Sequence, residues 1–404
     1  ALFAGAILAR RGVRVDAVLA APERAHRAGL AAFRDAGGRV LELAEAGPAN
    51  LIVDGLLGIG ASGPVRAELV PLVEFAEHSA APVLAVDLPS GVDPQTGEVQ
   101  GPAITAELTV CLGALKTGLL VGQGPVRSGR IELIDIGIGQ ELGEPELARY
   151  GAADVERLLP RPAADDDKYT RGVVGVAAGS EQYPGAAQLA VGSARLGGVG
   201  AVRYAGFAHR EVSRRFPDVL VSETVTLAGR VQAWTVGPGL GTDQHAVASL
   251  EAVLSQDVPV LVDADGLNLL VSRRELLEAR SAPTVLTPHD REFARLFGEV
   301  GPDRVGAARR AAASCGAVVL LKGFATVIAT PDGRCLVNPT GHPSLATAGS
   351  GDVLSGFIGS LLAAGLHPLD AAAVGAYLHG RAARSAAEHG PVTADDLIPR
   401  LRHS

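Results

Sequence analysis

The feature that most constrains the fold is an alternation of short apolar runs with longer amphipathic runs, which occurs twice along the 404 residues. In the first part, residues 66–79 place Leu69, Leu72 and Val73 on one face of a helix. Strands that alternate with helices of this length predict a parallel sheet with right-handed crossovers. The predicted strands of this part are 13–19, 51–54, 83–86, 108–112 and 131–136.

The alternation pauses at residues 141–168, a polar stretch that contains prolines and ends in Asp-Asp-Asp-Lys. Two domains are the usual outcome for a chain of this length. We therefore expect α/β domains at 1–140 and 169–404, joined by a linker at 141–168. The predicted strands of the second domain are 173–176, 200–204, 233–236, 258–262, 284–286, 318–321 and 326–328, and its last two predicted helices are 352–364 and 369–388.

Composition excludes several classes of protein. The net charge of -8 argues against a nucleic-acid partner, because a phosphate backbone requires clustered Lys and Arg. No apolar run approaches the ~18 residues that span a bilayer. Cys111, Cys315 and Cys335 are isolated, so neither a zinc site nor a disulfide framework is indicated. We expect a reduced, cytoplasmic setting.

The strongest motif is Ala-Gly-Ser-Gly-Asp at 348–352, which runs directly into an apolar helical stretch. Its glycines can direct successive backbone N–H groups at one point, beside a helix N-terminus that favours anions. Asp352 could there take the proton of an attacking hydroxyl. Alternatively, Asp352 could cap the helix, a role that Asp commonly fills.

Three further loops follow predicted strands at the edge where α/β sheets bind ligands. Lys-Gly-Phe-Ala-Thr at 322–326 places a cation and a tight turn after one strand, and Gly-Pro-Gly-Leu-Gly at 237–241 follows another. His289 follows a third strand, in Thr-Pro-His-Asp-Arg-Glu at 287–292. One such histidine could be purely structural, but three loops together with the 348–352 motif indicate a site.

These motifs, with Gly185-Ala186, stand in the same order as in a known family. Across about 170–390 the chain resembles the ADP/ATP-dependent NAD(P)H-hydrate dehydratases, a branch of the ribokinase-like fold. The resemblance implies that the hydroxyl of the hydrate is phosphorylated and that phosphate then leaves, which restores NAD(P)H with release of AMP when ADP is used. Phosphate is a far better leaving group than hydroxide. A divalent ion, Mg²⁺, would screen the nucleotide phosphates.

The same resemblance assigns residues of the second half to roles. The implied adenine-nucleotide ligands are Lys322, Gly323, Phe324, Ala325, Thr326 and Gly351. The residues implied to face the hydrated nicotinamide are Ala186, Gly239, His289 and Asp352. Asp352 is implied to be the catalytic base.

In the first half, two acids stand at the ends of predicted neighbouring strands. Asp54 is followed by Gly-Leu-Leu-Gly-Ile-Gly, and Asp87 opens Asp-Leu-Pro-Ser-Gly-Val-Asp. Both could simply stabilise turns. Together, however, they resemble the NAD(P)H-hydrate epimerase domain over about 1–137, which implies a Rossmann-like three-layer fold and interconversion of the R- and S-hydrates. By that resemblance, Asp54 and Ser90 bind K⁺ and Asp87 binds substrate as the catalytic acid/base. The implied substrate loop is Gly58, Ile59, Gly60, Ala61, Ser62, Gly63 and Pro64.

The epimerase resemblance has one gap. The family's Asn- and Gly-rich loop, which supplies another potassium ligand and cradles the substrate, is not found in residues 1–137. We expect it before Ala1, so that the domain as given lacks its N-terminal part and its epimerase activity. The chain contains no Met, which agrees with a start upstream.

Two other functions fit parts of the pattern. A ribokinase-like kinase acting on a small vitamin precursor would share the 348–352 loop, the nucleotide and Mg²⁺. Alternatively, the first half could be a non-enzymatic nucleotide-binding or oligomerisation module. The expected partners are hydrated NADH or NADPH, ADP or ATP, and further copies of the chain in a homo-oligomer. The sequence does not choose between the two nucleotides or the two hydrates.

Overall fold

The computed structural model describes residues 1–402, and the chain forms two compact units. The first unit is Ala1–Glu144, and the second begins at Pro145. Among the described residues, no helix has both the length and the apolar character needed to cross a membrane.

The first unit is an α/β structure with a small apolar core. Its strands are β1 (Asp16–Val18), β2 (Arg39–Leu41), β3 (Ile52–Asp54), β4 (Val83–Val86), β5 (Leu108–Leu112) and β6 (Arg130–Ile134). Its helices are α1 (Leu2–Arg10), α2 (Arg27–Asp35), α3 (Val70–Glu77) and α4 (Gly124–Arg127). Val73 of α3 packs with Val83 and Ile104, all of them buried, as the periodicity of residues 66–79 predicts.

The strands of the first unit form two separate parallel sheets rather than one. Among the described residues, β1 pairs only with β2, and the larger sheet has the order β3-β4-β5-β6. The sequence predicted all of these strands except β2. β3 and β4 are neighbours, so that the acids at their carboxyl ends lie at one edge of the sheet.

The second unit is built on one large sheet. Its strands are β7 (Val173–Ala177), β8 (Ala201–Ala205), β9 (Leu220–Ser222), β10 (Ala233–Val236), β11 (Val260–Val262), β12 (Thr284–Leu286), β13 (Val318–Leu321), β14 (Val327–Ala329) and β15 (Cys335–Val337). Its helices are α5 (Ala152–Leu158), α6 (Pro184–Ala194), α7 (His209–Arg215), α8 (Gln244–Leu254), α9 (Asp265–Leu270), α10 (Glu275–Glu278), α11 (Asp290–Phe297), α12 (Arg304–Cys315), α13 (Ser350–Ala363), α14 (Pro368–Ala387) and α15 (Ala394–Arg400).

This sheet has the strand order β15-β14-β13-β12-β11-β10-β7-β8-β9. From β13 to β9 all pairs are parallel, whereas β14 and β15 are antiparallel to their neighbours. The prediction of a parallel sheet therefore holds for the centre and is wrong at this edge, where the tight turn at 322–326 reverses the chain. The chain order changes direction between β7 and β10, and such switch points are where open α/β sheets bind ligands.

Both faces of the large sheet are covered, which explains the continuous apolar runs in its strands. Along β7, Val174 and Val176 face one apolar cluster, while Val173 and Ala177 face the other. Successive side chains of a strand point to opposite faces, so a strand buried on both sides has no polar alternation.

Helix α13 lies almost wholly inside the second unit. Twelve of its fourteen residues are buried, and Val353, Phe357, Ile358 and Leu361 are at most 1% exposed. A Cβ added at Gly356 would lie 1.9 Å from the Ala190 carbonyl oxygen of α6, so only glycine permits this close approach of the helices. The packing fixes the position of the helix N-terminus, where Asp352 lies.

The segment predicted as a linker is not free of structure beyond residue 144. Helix α5 forms within it and buries Val155 in the core of the second unit. The Tyr150 hydroxyl donates to Asp370 Oδ1 at 2.5 Å, and Ala148 forms a bridge with Leu336. Residues 145–159 thus pack on the second unit because they carry apolar side chains that periodicity alone did not reveal.

Candidate functional site

The first turn of α13 presents Asp352 at the carboxyl edge of the large sheet. The helix is capped by Gly349, and among the described residues no hydrogen-bond donor reaches the Asp352 carboxylate. Asp352 is therefore not the capping residue, which was the alternative role that the sequence left open. Burial raises the pKa of Asp352 to about 7, repulsion by Asp263 adds to the increase, and Lys322 opposes it. A carboxylate with such a pKa can accept a proton near neutral pH.

Lys322 connects the loop after β13 to two other loops. Its Nζ lies 2.7 Å from Asp263 Oδ1 and 3.6 Å from Glu292 Oε2. Burial acts to lower the pKa of Lys322, but attraction by Asp263 and Glu292 outweighs it, so the pKa is raised. Lys322 is thus a permanent cation beside Asp352.

Gly351 lies next to this ion pair. A Cβ added at Gly351 would be 3.6 Å from Lys322 Nζ and 3.7 Å from Asp263 Oδ2. The structure therefore brings Lys322, Gly351 and Asp352 to one place. The family resemblance implies that Lys322 and Gly351 bind the nucleotide and that Asp352 contacts the hydrate. Phosphoryl donor and acceptor must meet at such a place.

The rest of the 322–326 loop is fixed by its own hydrogen bonds. The Thr326 hydroxyl donates to the Gly323 carbonyl oxygen at 3.0 Å, and Thr326 and Ala325 are buried. Phe324 is 40% exposed and remains accessible to a ligand. In this loop, Gly323 and Phe324 offer a surface, whereas Thr326 mainly maintains the turn.

His289 begins α11 and is linked to the same acid as Lys322. Its Nδ1 accepts the backbone N–H groups of Arg291 and Glu292, and Glu292 Oε2 accepts the N–H of His289. Because Nδ1 is an acceptor, the ring proton is on Nε2, which lies 3.5 Å from Glu292 Oε1. Half of the His289 side chain is exposed, so it both caps the helix and faces the site edge.

Ala186 and Gly239 meet at the switch point between β7 and β10. Gly239 has a φ of 58°, and a Cβ added there would lie 2.5 Å from Ala186 Cβ. The Gly179 N–H donates to the Pro238 carbonyl oxygen at 2.7 Å and joins the two loops. Two residues that the sequence assigned to the substrate are therefore direct neighbours.

Sequence reasoning missed Asp263, although a usable signal was present. It follows the apolar run 258–262, the same pattern that identified Asp54 and Asp87. Asp263 is 1% exposed, and its Oδ2 accepts the Ser355 hydroxyl of α13 at 2.6 Å. The acid thereby ties Lys322 to the helix that carries Asp352.

Arg304 and His379 were also missed, and their sequence contexts carry no distinctive signal. Arg304 donates to Asp290 Oδ2 and to the Lys322 carbonyl oxygen, both at 2.9 Å, and so joins the loops after β12 and β13. His379 is enclosed in α14. Burial lowers the pKa of His379 to about 4, with an opposing hydrogen bond from the ring to the Ser350 backbone, and among the described residues its Nε2 has no partner.

In the first unit, Asp54 and Ser90 contact each other at the edge of the smaller sheet. Asp54 accepts the Ser90 N–H at 2.8 Å and the Ser90 hydroxyl at 2.7 Å. Burial raises the pKa of Asp54, although the Ser90 hydrogen bonds oppose it. Asp54 is 4% exposed, and among the described residues it forms no ion pair with a basic side chain. The adjoining loop 58–64 is largely exposed.

Asp87 lies at the same edge and pairs with Lys116, which sequence reasoning missed. Lys116 Nζ contacts Asp87 Oδ1, and the Leu112 N–H donates to the same oxygen at 3.2 Å. Lys116 is four residues past the end of β5, in a loop that carries no motif. The described residues contain no cluster of three or more His, Cys, Asp or Glu side chains arranged for a metal ion.

Two family patterns match the chain. A family described as NAD(P)H-hydrate dehydratase matches residues 174–402, and one described as YjeF-related protein N-terminus matches residues 1–118. The chain is 52% identical to the bifunctional NAD(P)H-hydrate repair enzyme Nnr of Mycobacterium leprae (strain TN), over 100% of this chain and 85% of that protein. A protein of the same name from Corynebacterium glutamicum is 36% identical over 90% of this chain and 75% of its own length.

Solved structures also resemble the chain. An ADP/ATP-dependent NAD(P)H-hydrate dehydratase from Bacillus subtilis, co-crystallised with ATP and Mg²⁺, gives a TM-score of 0.57 at 30% identity, covering 63% of this chain and 96% of that chain. A ribokinase-like superfamily protein from Enterococcus faecalis gives 0.59 at 26% identity, covering 65% and 96%.

Proposed function

Because the chain belongs to the family of bifunctional NAD(P)H-hydrate repair enzymes, we propose that its second unit dehydrates the S-hydrate of NAD(P)H at the expense of ADP. The observation that carries this proposal is the position of Asp352. Its carboxylate lies at the N-terminus of α13 beside Lys322 and, among the described residues, accepts no hydrogen bond. A base, a cation and helix N–H groups at one point are what phosphoryl transfer to a hydroxyl requires.

The proposed first step is transfer of the terminal phosphoryl group to the hydroxyl of the hydrate. Asp352 accepts the hydroxyl proton as the oxygen attacks phosphorus, and the bond to the leaving nucleotide breaks. The first-turn N–H groups of α13 and the Lys322 ammonium stabilise the charge that develops on the phosphoryl oxygens. In the second step the carbon–oxygen bond breaks, phosphate leaves, and loss of a ring proton restores NAD(P)H.

The proposed nucleotide contacts are the 322–326 loop and Gly351. Gly323 and Phe324 offer the accessible surface of that loop, and the Ala325 and Thr326 backbone completes its turn. Arg304 supports both this loop and the one that carries His289. The proposed co-substrate is ADP or ATP.

The proposed hydrate contacts are Ala186, Gly239 and His289, with Asp352 at the reacting hydroxyl. Ala186 and Gly239 have small side chains at the switch point, where a flat ring can approach the backbone closely. His289 presents Nε2–H as a donor toward the same edge. This arrangement would hold the hydroxyl within reach of Asp352.

Mg²⁺ belongs to the proposal as a companion of the nucleotide. Mg²⁺ bound through phosphates retains several waters and needs only one or two carboxylates. The donor set fits this demand, because Glu292 is a buried carboxylate at the edge where the loops meet. When bound, the ion would neutralise phosphate charge.

For the first unit, we propose that the domain, when complete, epimerises the R- and S-hydrates, with Asp87 as acid/base and the 58–64 loop as substrate contact. K⁺ would bind to Asp54 and Ser90, whose hard oxygens suit it. A buried carboxylate without a cationic partner is costly, so the environment of Asp54 supports a cation site. The epimerase domain would correspond to residues 1–140 and the dehydratase domain to 169–404, with 141–168 as the connecting segment.

Two wider properties also belong to the proposal. Cys111, Cys315 and Cys335 are all free thiols, which supports a reducing, cytoplasmic location. Assembly into a homo-oligomer stays a prediction.

Product analysis tests the dehydratase proposal. The protein would be incubated with S-NADHX, ADP and Mg²⁺, and NADH absorbance, free phosphate and AMP would be quantified together. Equal amounts of all three products are expected. A stable phosphorylated hydrate would indicate a ribokinase-like kinase instead, and NADH formation without nucleotide would contradict the mechanism.

A further inference from the structure

The first unit contains a single lysine in an arginine-rich chain. Of the 36 basic residues counted as Lys plus Arg, the lysines are Lys116, Lys168 and Lys322. Elsewhere in the first unit ion pairs use arginine, as in Arg127–Glu77 and Arg39–Asp16. A guanidinium does not release its proton in proteins, whereas an ammonium does. A lone lysine beside a proposed catalytic acid therefore points to proton transfer rather than to charge alone.

The contacts of Lys116 place its ammonium directly against Asp87. Nζ contacts Asp87 Oδ1 and donates to the Leu112 carbonyl oxygen at 2.7 Å. The third contact, with Cys111 Sγ at 3.6 Å, is weak, because a thiol is a poor acceptor. The Lys116 and Asp87 side chains are 15% and 17% exposed, so the pair is sheltered but accessible. A substrate oxygen could replace the thiol as the third acceptor.

The backbone also holds this pair in place. Asp87 follows β4 and Lys116 follows β5, which are adjacent parallel strands. Asp87 has a φ of 76°, in the region that favours glycine. Such a conformation costs about 1–3 kcal/mol at a non-glycine residue and concentrates at functional sites. Ala264, the other non-glycine residue with positive φ among those described, follows Asp263 of the second site.

We propose that Lys116 is a second catalytic residue of epimerisation, the proton donor to the departing hydroxyl, with the Asp87 carboxylate as the matching acceptor. This assignment rests on the epimerase function proposed for the first unit. A lysine ammonium is a proton donor, and an aspartate carboxylate is a proton acceptor. One aspartate acting alone would have to be protonated for one half-reaction and ionised for the other.

The proposed steps balance as follows. The Lys116 ammonium donates a proton to the hydroxyl on the ring carbon next to the ring nitrogen, and the carbon–oxygen bond breaks with departure of water. The nitrogen lone pair forms a carbon–nitrogen double bond, giving a planar cation. Water then adds to the opposite face, Asp87 takes its proton, and that proton passes to Lys116 through their hydrogen bond. The protein returns to its starting state, and the carbon is inverted.

The test measures interconversion of separated R- and S-NADHX in the full-length protein with K⁺. Lys116→Ala is expected to lower kcat by about 10²–10⁴-fold, the range of general acid–base contributions. Ethylammonium in the buffer should raise kcat of Lys116→Ala by at least about tenfold, because it supplies an N–H donor. Tetramethylammonium carries the same charge without N–H and should not. Lys116→Arg should stay impaired, since its charge remains but its proton is not released.

Arg127→Met is the matched control, because it breaks a half-buried ion pair of the same unit and should change kcat by less than about threefold. Equal rescue by both ammonium ions, full activity of Lys116→Arg, or near-normal kcat of Lys116→Ala would overturn the role of Lys116. A complete wild-type protein, including the loop expected before Ala1, that shows no epimerase activity would instead overturn the function of the first unit, which separates the two failures.

Discussion

Lys322 Nζ lies 2.7 Å from Oδ1 of Asp263, an acid with only 1% of its surface exposed. The other oxygen of Asp263 accepts the Ser355 hydroxyl of α13. Asp263 therefore fixes the cation of the 322–326 loop to the helix that carries Asp352. It also raises the pKa of Asp352 by repulsion, after burial, which is the larger cause. Asp263 thus contributes both to the geometry of the proposed catalytic centre and to the raised pKa of Asp352.

Asp352→Asn should lower dehydratase kcat by about 10²–10⁴-fold while the Kd for ADP changes little, because the amide keeps the size of the side chain. The variant should also raise the free energy of unfolding of the second unit at pH 8 by on the order of 1 kcal/mol. The reason is that the fold disfavours the ionised carboxylate, whose pKa is about 7 in the folded state.

The matched control is Asp370→Asn, which removes an acid from the first turn of the neighbouring helix α14. Steady-state kinetics, calorimetric ADP binding and urea unfolding provide the measurements. Near-normal kcat in Asp352→Asn would move the base to another residue.

The kcat/KM of the dehydratase should rise as the pH increases through 7 and should level off above it. Asp352 must be ionised to accept a proton, and its pKa in the free enzyme is about 7. Asp263→Asn removes the repelling charge and frees Lys322, and both changes lower the pKa of Asp352. The rising limb should therefore move to lower pH. Asp332→Asn removes an exposed acid and should leave the limb in place. If the rising limb of the kcat/KM profile does not move in Asp263→Asn, Asp263 does not raise the pKa of Asp352.

Gly239→Ala should raise the KM for the hydrate while leaving the Kd for ADP within about twofold. The added methyl group would lie 2.5 Å from Ala186 Cβ at the proposed hydrate contact. Gly365→Ala is the control, because Gly365 has a positive φ of 93° with no atom near its absent Cβ. Both substitutions carry the backbone cost of positive φ, so only a change in hydrate KM specific to Gly239→Ala supports the placement.

His379 should make the second unit sensitive to acid. Its pKa is about 4 in the folded state against 6.5 for an unperturbed histidine, because burial disfavours the charged ring. Between these values the unfolded chain binds one proton more than the folded chain, so stability falls as pH decreases. The loss should approach about 3 kcal/mol by pH 4.

Unfolding in urea can be followed through Trp234, the single tryptophan, which is buried in the second unit. His379→Gln should show a weaker loss of stability between pH 6.5 and pH 4 than the wild-type protein. Equal pH slopes in the two proteins would show that His379 titrates normally.

The sequence predicted the fold best where a buried strand is followed by a loop that carries a motif. The continuous apolar runs of β7, β10, β12 and β13 predicted those strands closely, because strands covered on both faces contain few polar residues. β2, β9 and β15 were not predicted from the sequence.

The candidate sites were predicted in part. Asp352 stood in a motif, whereas Asp263 was overlooked despite the acid-after-strand pattern that revealed Asp54. Lys116 could not be found this way, because its partner Asp87 is 29 residues away and only the pairing of adjacent strands joins them. The burial of His379 depends on the elements that pack around α14, and the Ala-rich sequence of that helix does not indicate them.

The most direct test of the central claim uses hydrate labelled with ¹⁸O at its hydroxyl. If Asp352 activates that hydroxyl to accept the phosphoryl group, its oxygen becomes the bridging atom and leaves with phosphorus. Mass spectrometry of the products of S-NADHX, ADP and Mg²⁺ should then find one ¹⁸O in each released phosphate. Unlabelled phosphate, with the label in water, would show that the hydroxyl leaves without being phosphorylated and would contradict the account.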